Sequence, residues 1–235
     1  MTAAQSAQPS RFGSDLRDIE RRDLGDEQRS DRYGAIAGVL FSIAGIGIVM
    51  SIIAGEAVYP RSYTTYGNTI SDLSGTEPPH SIMLQPSRTL FIVTMLLAGA
   101  LILAGDWFLA RATDRRRLVV TMAIFGVGLV GIGIFPGNVE GWHPLFAMAC
   151  FLGGSVAAIM SRKVVDGPFR YFVSVLGAIA LLATIFGLES LENWGPQDAL
   201  GRGGIERWIA YPVLLWLVGF GVHLMSTQRR SPARG

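Results

Sequence analysis

Six long apolar segments, residues 34–55, 89–110, 118–136, 144–160, 171–188 and 208–225, occupy most of this 235-residue chain and constrain its fold more than any motif in it. Each approaches or exceeds the ~17 to 25 residues with which an α-helix crosses about 30 Å of hydrocarbon. A helix on a soluble core keeps a polar stripe at helical spacing, whereas residues 34–55 are apolar or small on every face except at Ser42 and Ser51. The fold class that follows is all-α: a polytopic integral membrane protein with six transmembrane helices in one bundle. That domain is expected to cover residues 33–227, between a disordered tail at 1–32 and a short tail at 228–235.

The basic residues give the bundle an orientation. An even number of spans leaves both termini on one side, with Arg11, Arg17, Arg21, Arg22, Arg29, Arg32, Arg111, Arg115, Arg116, Arg117, Arg162, Lys163, Arg170, Arg229, Arg230 and Arg234. The other side holds Arg61, Arg88, Arg202 and Arg207. Because positive loops stay inside, both termini are predicted cytoplasmic, in a plasma (cytoplasmic) membrane. The net charge of +2 is the average of this polarised distribution, and the cytoplasmic arginines sit where anionic lipids are the expected partners. No nucleic-acid partner is expected, since the basic residues occupy short connections without an aromatic platform.

Residues 1–32 mix seven acidic with six basic groups and have almost no apolar surface to offset ordering entropy, which predicts a solvated tail. Within it, residues 15–22 have the composition of a short surface helix. The first apolar run begins too late for a signal peptide, so none is expected. Cys150 is a single cysteine inside the fourth span, and no intramolecular disulfide is expected.

The connections on the predicted outer side are long and polar, which makes them the place to look for function. In the first, Asn68-Thr69-Ile70-Ser71-Asp72-Leu73-Ser74-Gly75 places Thr69 and Asp72 at capping-box spacing. The alternative reading makes Asp72, with Ser71 and Ser74, part of a ligand, metal or catalytic site. In the second, Pro136 and Gly137 end the third span and Pro144 fits the first position of the next helix, putting His143 at its cap near Glu140. The third holds Glu189, Glu192, Asn193, Trp194, Asp198, Arg202, Glu206 and Arg207. Trp142, Trp194 and Trp208 fall at belt positions, and Pro212 falls in the first turns of the sixth span.

Asp106 and His223 lie near the cytoplasmic ends of their spans, Asp106 within reach of Arg111. Glu206 to His223 is ~25 Å of helix at 1.5 Å per residue, so His223 cannot join His143 in one site. That argues against several histidines gathered on one zinc ion, and neither metal nor cofactor is expected. Glycines at 34, 38, 45, 126, 128, 131, 133, 219 and 221 suit close helix packing in a bilayer. The run from Gly126 superficially resembles a dinucleotide fingerprint but lacks the preceding strand.

The run Asn68-Thr-Ile-Ser-Asp-Leu, the Gly131-Ile-Gly-Ile-Phe-Pro136 exit, His143-Pro-Leu-Phe-Ala147 and Glu206-Arg-Trp-Ile-Ala-Tyr-Pro-Val-Leu-Leu-Trp216 together resemble the multi-pass membrane proteins grouped as domain of unknown function 998. The resemblance covers roughly residues 34–226 and implies a six-span prokaryotic membrane protein without an assigned activity. It also implies a polar signature of Asp72, His143, Glu206 and Arg207.

The candidate ligand-binding residues are Asn68, Ser71, Asp72, Glu140, His143, Glu206 and Arg207, for a small molecule or a lipid. The leading expectation is a membrane protein that binds a lipid or solute, or assists another membrane protein, through an outward polar site. An enzyme acting on a lipid headgroup or outer-face substrate is the alternative, with Asp72 or Glu206 as base, His143 as acid or base and Arg207 holding an anion. It requires those side chains to converge. A small transporter is the third class, and the two halves show no similarity to support inverted repeats.

Overall fold

The computed structural model describes residues 11–187 and 196–227. Among them are six helices and no strand: α1 (Arg11–Ala57), α2 (Ser87–Ala112), α3 (Arg116–Ile134), α4 (Trp142–Ser161), α5 (Phe169–Phe186) and α6 (Pro196–Thr227). All six are long and apolar enough to cross a membrane. The chain is an all-helical membrane protein.

The lipid-facing character is clearest on α1. Ala37, Phe41, Ala44, Ile48 and Ile52 are buried, while Val39, Ile43, Ile46, Met50 and Ile53 on the other face are exposed. A helix with apolar side chains on its buried and its exposed face is at home only where the solvent is hydrocarbon.

Consecutive helices pack side by side, and α1 closes the ring against α6, with α4 also reaching α6 across the interior. Phe41, Trp216 and Phe220 are fully buried at the centre, with Phe41 and Trp216 each stacked on Phe220. Trp216 Nε1 donates to Ser161 Oγ at 2.9 Å, which satisfies the indole inside the bundle. The α1–α6 closure depends on two glycines that face each other. A Cβ on Gly38 would overlap the Gly221 carbonyl oxygen, and one on Gly221 would come to 2.5 Å from Gly38 O.

Helix ends differ from the sequence expectation where local chemistry intervenes. The charged segment is helical from Arg11 as an extension of α1, and residues 23–29 are exposed along it. Helix α3 stops at Ile134, because Pro136 disfavours helical backbone at Phe135, whose ψ is 81°. Helix α4 begins at Trp142 and not at Pro144: Gly141, at φ 76°, makes the turn, so His143 is the second helical residue rather than the cap. Pro144 is tolerated there because the first four N–H groups of a helix have no intrahelical partner. Helix α6 starts at Pro196, well before Trp208, and is broken at Gly201 (φ 68°, ψ 170°). Pro212 therefore lies in the helix interior, where it removes a bond to the Trp208 carbonyl.

At the bundle end that carries the 112–116 and 161–169 connections, Arg111 does not pair with Asp106. Its guanidinium lies 3.3 Å from the Trp107 ring centroid and donates to Trp107 O, a local contact that captures it one turn away. Asp106 is buried, and its Oδ1 has no hydrogen-bond partner among the described residues. His223, also at this end, stacks on Phe169 with centroids 5.7 Å apart.

Candidate functional site

The opposite end of the bundle is covered by the connection from α1 to α2, folded down between the helix tips. Its centre is the 3₁₀ turn Ser71–Leu73. Thr69 and Asp72 form the reciprocal pair their spacing predicts: Thr69 N donates to Asp72 Oδ2 at 3.0 Å, and Asp72 N to Thr69 Oγ1 at 3.2 Å. Asn68 Nδ2 adds a second donor to Asp72 Oδ2 at 3.3 Å, while Asn68 Oδ1 accepts from Thr64 N. Asn68 is thus committed to the loop's own turn.

Arg207 fastens this loop to α1 and α6. Its Nη2 donates to Glu56 Oε1 at 2.6 Å and to Tyr63 OH at 3.0 Å. Its Nη1 reaches Asn68 O at 2.9 Å, Thr65 O at 3.3 Å and, within α6, Gly203 O at 2.8 Å. Tyr63 OH donates onward to Thr69 O at 2.7 Å, and burial pushes its phenol above the usual range, so it stays a donor. The loop lies so close to α6 that a Cβ on Gly203 would overlap Asn68 O and come to 2.6 Å from Thr65 O. On the other flank Arg88 Nη1 donates to Ser74 O and to Asn138 Oδ1, and Ser74 Oγ accepts from Gly137 N at 3.0 Å. These two clamps bring the loop, the α3–α4 turn and α6 to a common point.

At that point stand Ser71, His143 and Glu206. Ser71 Oγ lies 2.9 Å from Glu206 Oε1 and 3.1 Å from His143 Nε2, and Glu206 Oε2 accepts the Ile70 N–H. His143 Nδ1 lies 2.8 Å from Phe135 O. A carbonyl only accepts, so Nδ1 carries a proton. The serine has one proton for two neighbours, so both contacts are hydrogen bonds only if one further proton is shared along the row. Either Glu206 is protonated and donates to Ser71, which donates to neutral His143, or His143 is an imidazolium that donates to Ser71, which donates to the Glu206 carboxylate. The row is neutral in both arrangements.

Beside it opens a cavity of about 650 Å³. One wall is polar, with Ser71, Asp72, His143 and Glu206, and the other is apolar, with Ala147, Met148, Phe151 and Ile209. At its rim Arg202 Nη2 pairs with Glu77 Oε1 at 2.6 Å, and both side chains are more than 60% exposed. Ser71, Glu206, Phe151 and Ile209 also border a smaller apolar cavity of about 60 Å³ deeper in the bundle, so Glu206 sits on the boundary between the polar and apolar compartments.

A family model described as a protein of unknown function, DUF998, matches residues 35–223. The chain belongs to the DUF998 family. No curated protein and no solved structure matches it.

In this DUF998 chain the candidates divide into two groups. Ser71, Asp72, His143 and Glu206 converge on the cavity. Asn68 and Arg207 hold the wall from behind, and with its Nη donors engaged on Glu56, Tyr63 and three carbonyls Arg207 is not placed to hold a ligand anion. Glu140 is exposed and is not among the cavity residues. Glu189, Glu192, Asn193 and Trp194 lie outside the described residues.

Sequence reasoning overlooked Glu56 and Tyr63, the partners of Arg207, and Glu77, the partner of Arg202. The one signal for Glu56 was a carboxylate placed directly after an apolar span, a position that calls for a cation. Nothing local marks the apolar wall on α4 and α6, because its residues read as ordinary span.

Proposed function

We propose that this protein binds an amphiphilic molecule, a membrane lipid, in the cavity beside Ser71, His143 and Glu206, on the outer face of a prokaryotic cytoplasmic membrane with both termini inside. The observation that carries the reading is the two-sided wall: hydrogen-bonding groups along Ser71, Asp72, His143 and Glu206 face an apolar strip of Ala147, Met148, Phe151 and Ile209. Convergent polar groups beside an apolar strip in one concavity make a site for an amphiphile, and this volume suits a headgroup with the first part of an acyl chain. The arginine distribution along the sequence supports the outward orientation, and the cytoplasmic arginines suit anionic lipids on the inner leaflet.

The test is mass spectrometry of lipids retained on the protein after purification in mild detergent. Wild type retains a stoichiometric lipid, and Ala147→Trp, which fills the cavity from its apolar side, releases it. Equal retention by the two proteins sinks the reading.

A second reading, an enzyme acting on a lipid headgroup or ester, is favoured by one observation: Ser71 Oγ lies within reach of a His143 Nε2 that can accept its proton. Incubation with labelled lipid extract separates the two. Time-dependent product that disappears in Ser71→Ala establishes catalysis, and recovery of the lipid unchanged leaves binding.

A further inference from the structure

The charges around the cavity, taken with the amphiphile reading on which this step rests, say which headgroup it accepts. With both contacts of Ser71 made as hydrogen bonds, the Ser71–His143–Glu206 row holds one shared proton and is neutral as a unit. Glu77 and Arg202 form an ion pair at the rim. That leaves Asp72, which lines the cavity and has no ion-pair partner among the described residues. Its Oδ2 accepts from Thr69 N and Asn68 Nδ2, and its Oδ1 has no hydrogen-bond partner among the described residues. Among the described residues, Asp72 is thus the carboxylate on the polar wall without a cation.

The rim supplies the opposite requirement. An ion pair with both partners more than 60% exposed is held weakly, because water screens it and competes for each group. The phosphodiester of a lipid carries one negative charge, as a carboxylate does, and presents two non-bridging oxygens that match the planar guanidinium, so it can take the place of Glu77 on Arg202 while Glu77, 61% exposed, returns to water. Arg202 keeps a cation's role throughout.

We propose that the occupant is a phospholipid with a primary ammonium on its headgroup, its phosphate on Arg202 and its ammonium between Asp72 Oδ1 and the Ser71–Glu206 edge. A primary ammonium has three N–H donors for these acceptors, which a quaternary ammonium lacks. A quaternary headgroup is bound through an aromatic cage, and among the described residues Phe151 is the one Phe, Tyr or Trp on the cavity wall. Glycerol headgroups carry the phosphate without the cation and leave Asp72 uncompensated.

Short-chain phosphatidylethanolamine, phosphatidylcholine, phosphatidylglycerol and octanoate, together with free O-phosphoethanolamine, are titrated onto the full-length protein in detergent and read by native mass spectrometry and thermal shift. Phosphatidylethanolamine is expected to bind at least tenfold more tightly than the other three amphiphiles. Arg202→Gln weakens it about tenfold. Asp72→Asn, which keeps an acceptor for Thr69 N, removes the preference over phosphatidylglycerol. Free O-phosphoethanolamine binds at least tenfold more weakly than the lipid, and equal binding would make this a solute site and overturn the lipid assignment. Equal binding of all four amphiphiles, or a preference for phosphatidylglycerol or octanoate, overturns the headgroup class while the amphiphile site stands. Absence of binding by every probe removes both.

Discussion

Replacing Arg207 by Met measures how firmly the first connection is held, and the structure sets the size of the effect. The substitution keeps most of the aliphatic stem and removes the guanidinium. Glu56 loses a charged partner at 2.6 Å, but its side chain is 25% exposed and recovers water, so that loss is at the low end of a charged hydrogen bond, about 1.5 kcal/mol. Asn68 O, 2.9 Å from Nη1, loses its donor at about 1 kcal/mol, and the longer contact to Thr65 O contributes about 0.5. Gly203 O keeps the acceptor role that α6 gives it, and Tyr63 OH keeps Thr69 O. The sum is about 3 kcal/mol, within the range for breaking a buried ion pair by removing one partner.

Denaturant unfolding in mild detergent, followed by tryptophan fluorescence, reads this directly, and the melting temperature is expected to fall by about 6–12 °C. Glu56→Gln keeps an acceptor but loses the charge. Combined with Arg207→Met in a double-mutant cycle, it should give a coupling of about 1–1.5 kcal/mol. Hydrogen exchange at Thr69 and Asp72, whose N–H groups close the turn, should accelerate in Arg207→Met. A loss below about 1 kcal/mol, or a coupling near zero, would show that the loop is held by something other than this arginine.

Three further outcomes follow from the same geometry. Gly203→Ala forces a Cβ into the carbonyls of Asn68 and Thr65, and it is expected to cost about 1–3 kcal/mol by thermal unfolding while abolishing lipid retention; retention at wild-type level contradicts the close approach of loop and α6. Ser71→Ala removes the bridge between His143 and Glu206 and one hydrogen bond to that carboxyl, with an expected loss of about 1–2 kcal/mol. In that variant nitrogen-15 NMR of His143 should still report a proton on Nδ1, because Phe135 O is unchanged, and a ring protonated only at Nε2 would refute the assignment. For topology, His80→Cys and Arg116→Cys are compared in a Cys150→Ala background. The first should react with an impermeant maleimide in intact cells and the second only after lysis, and the reverse pattern inverts the bundle.

The parts of this protein that were legible in the sequence are those governed by one physical variable at a time. Span number follows from apolar length, and the Thr69–Asp72 turn follows from a spacing of three residues. Helix starts were less legible because they depend on one backbone angle: Gly141 at φ 76° moves the start of α4 back by two residues, which places His143 on the first turn and aims its ring at Ser71. The site itself required knowing which of two adjacent residues on α6 faces inward. Glu206 and Arg207 are neighbours in sequence, about 100° apart on the helix, and their roles are opposite. Glu206 points into the cavity, while Arg207 points to Glu56 and to the back of the loop that makes the cavity wall. The adjacent pair therefore joins a residue of the cavity wall to the clamp that shapes that wall. Changes at Arg207 should act on ligand affinity through the stability of the loop, whereas changes at Ser71, Asp72 and Glu206 should lower affinity by more than their cost in stability explains. That separation distinguishes the proposed site on the wall from the clamp behind it.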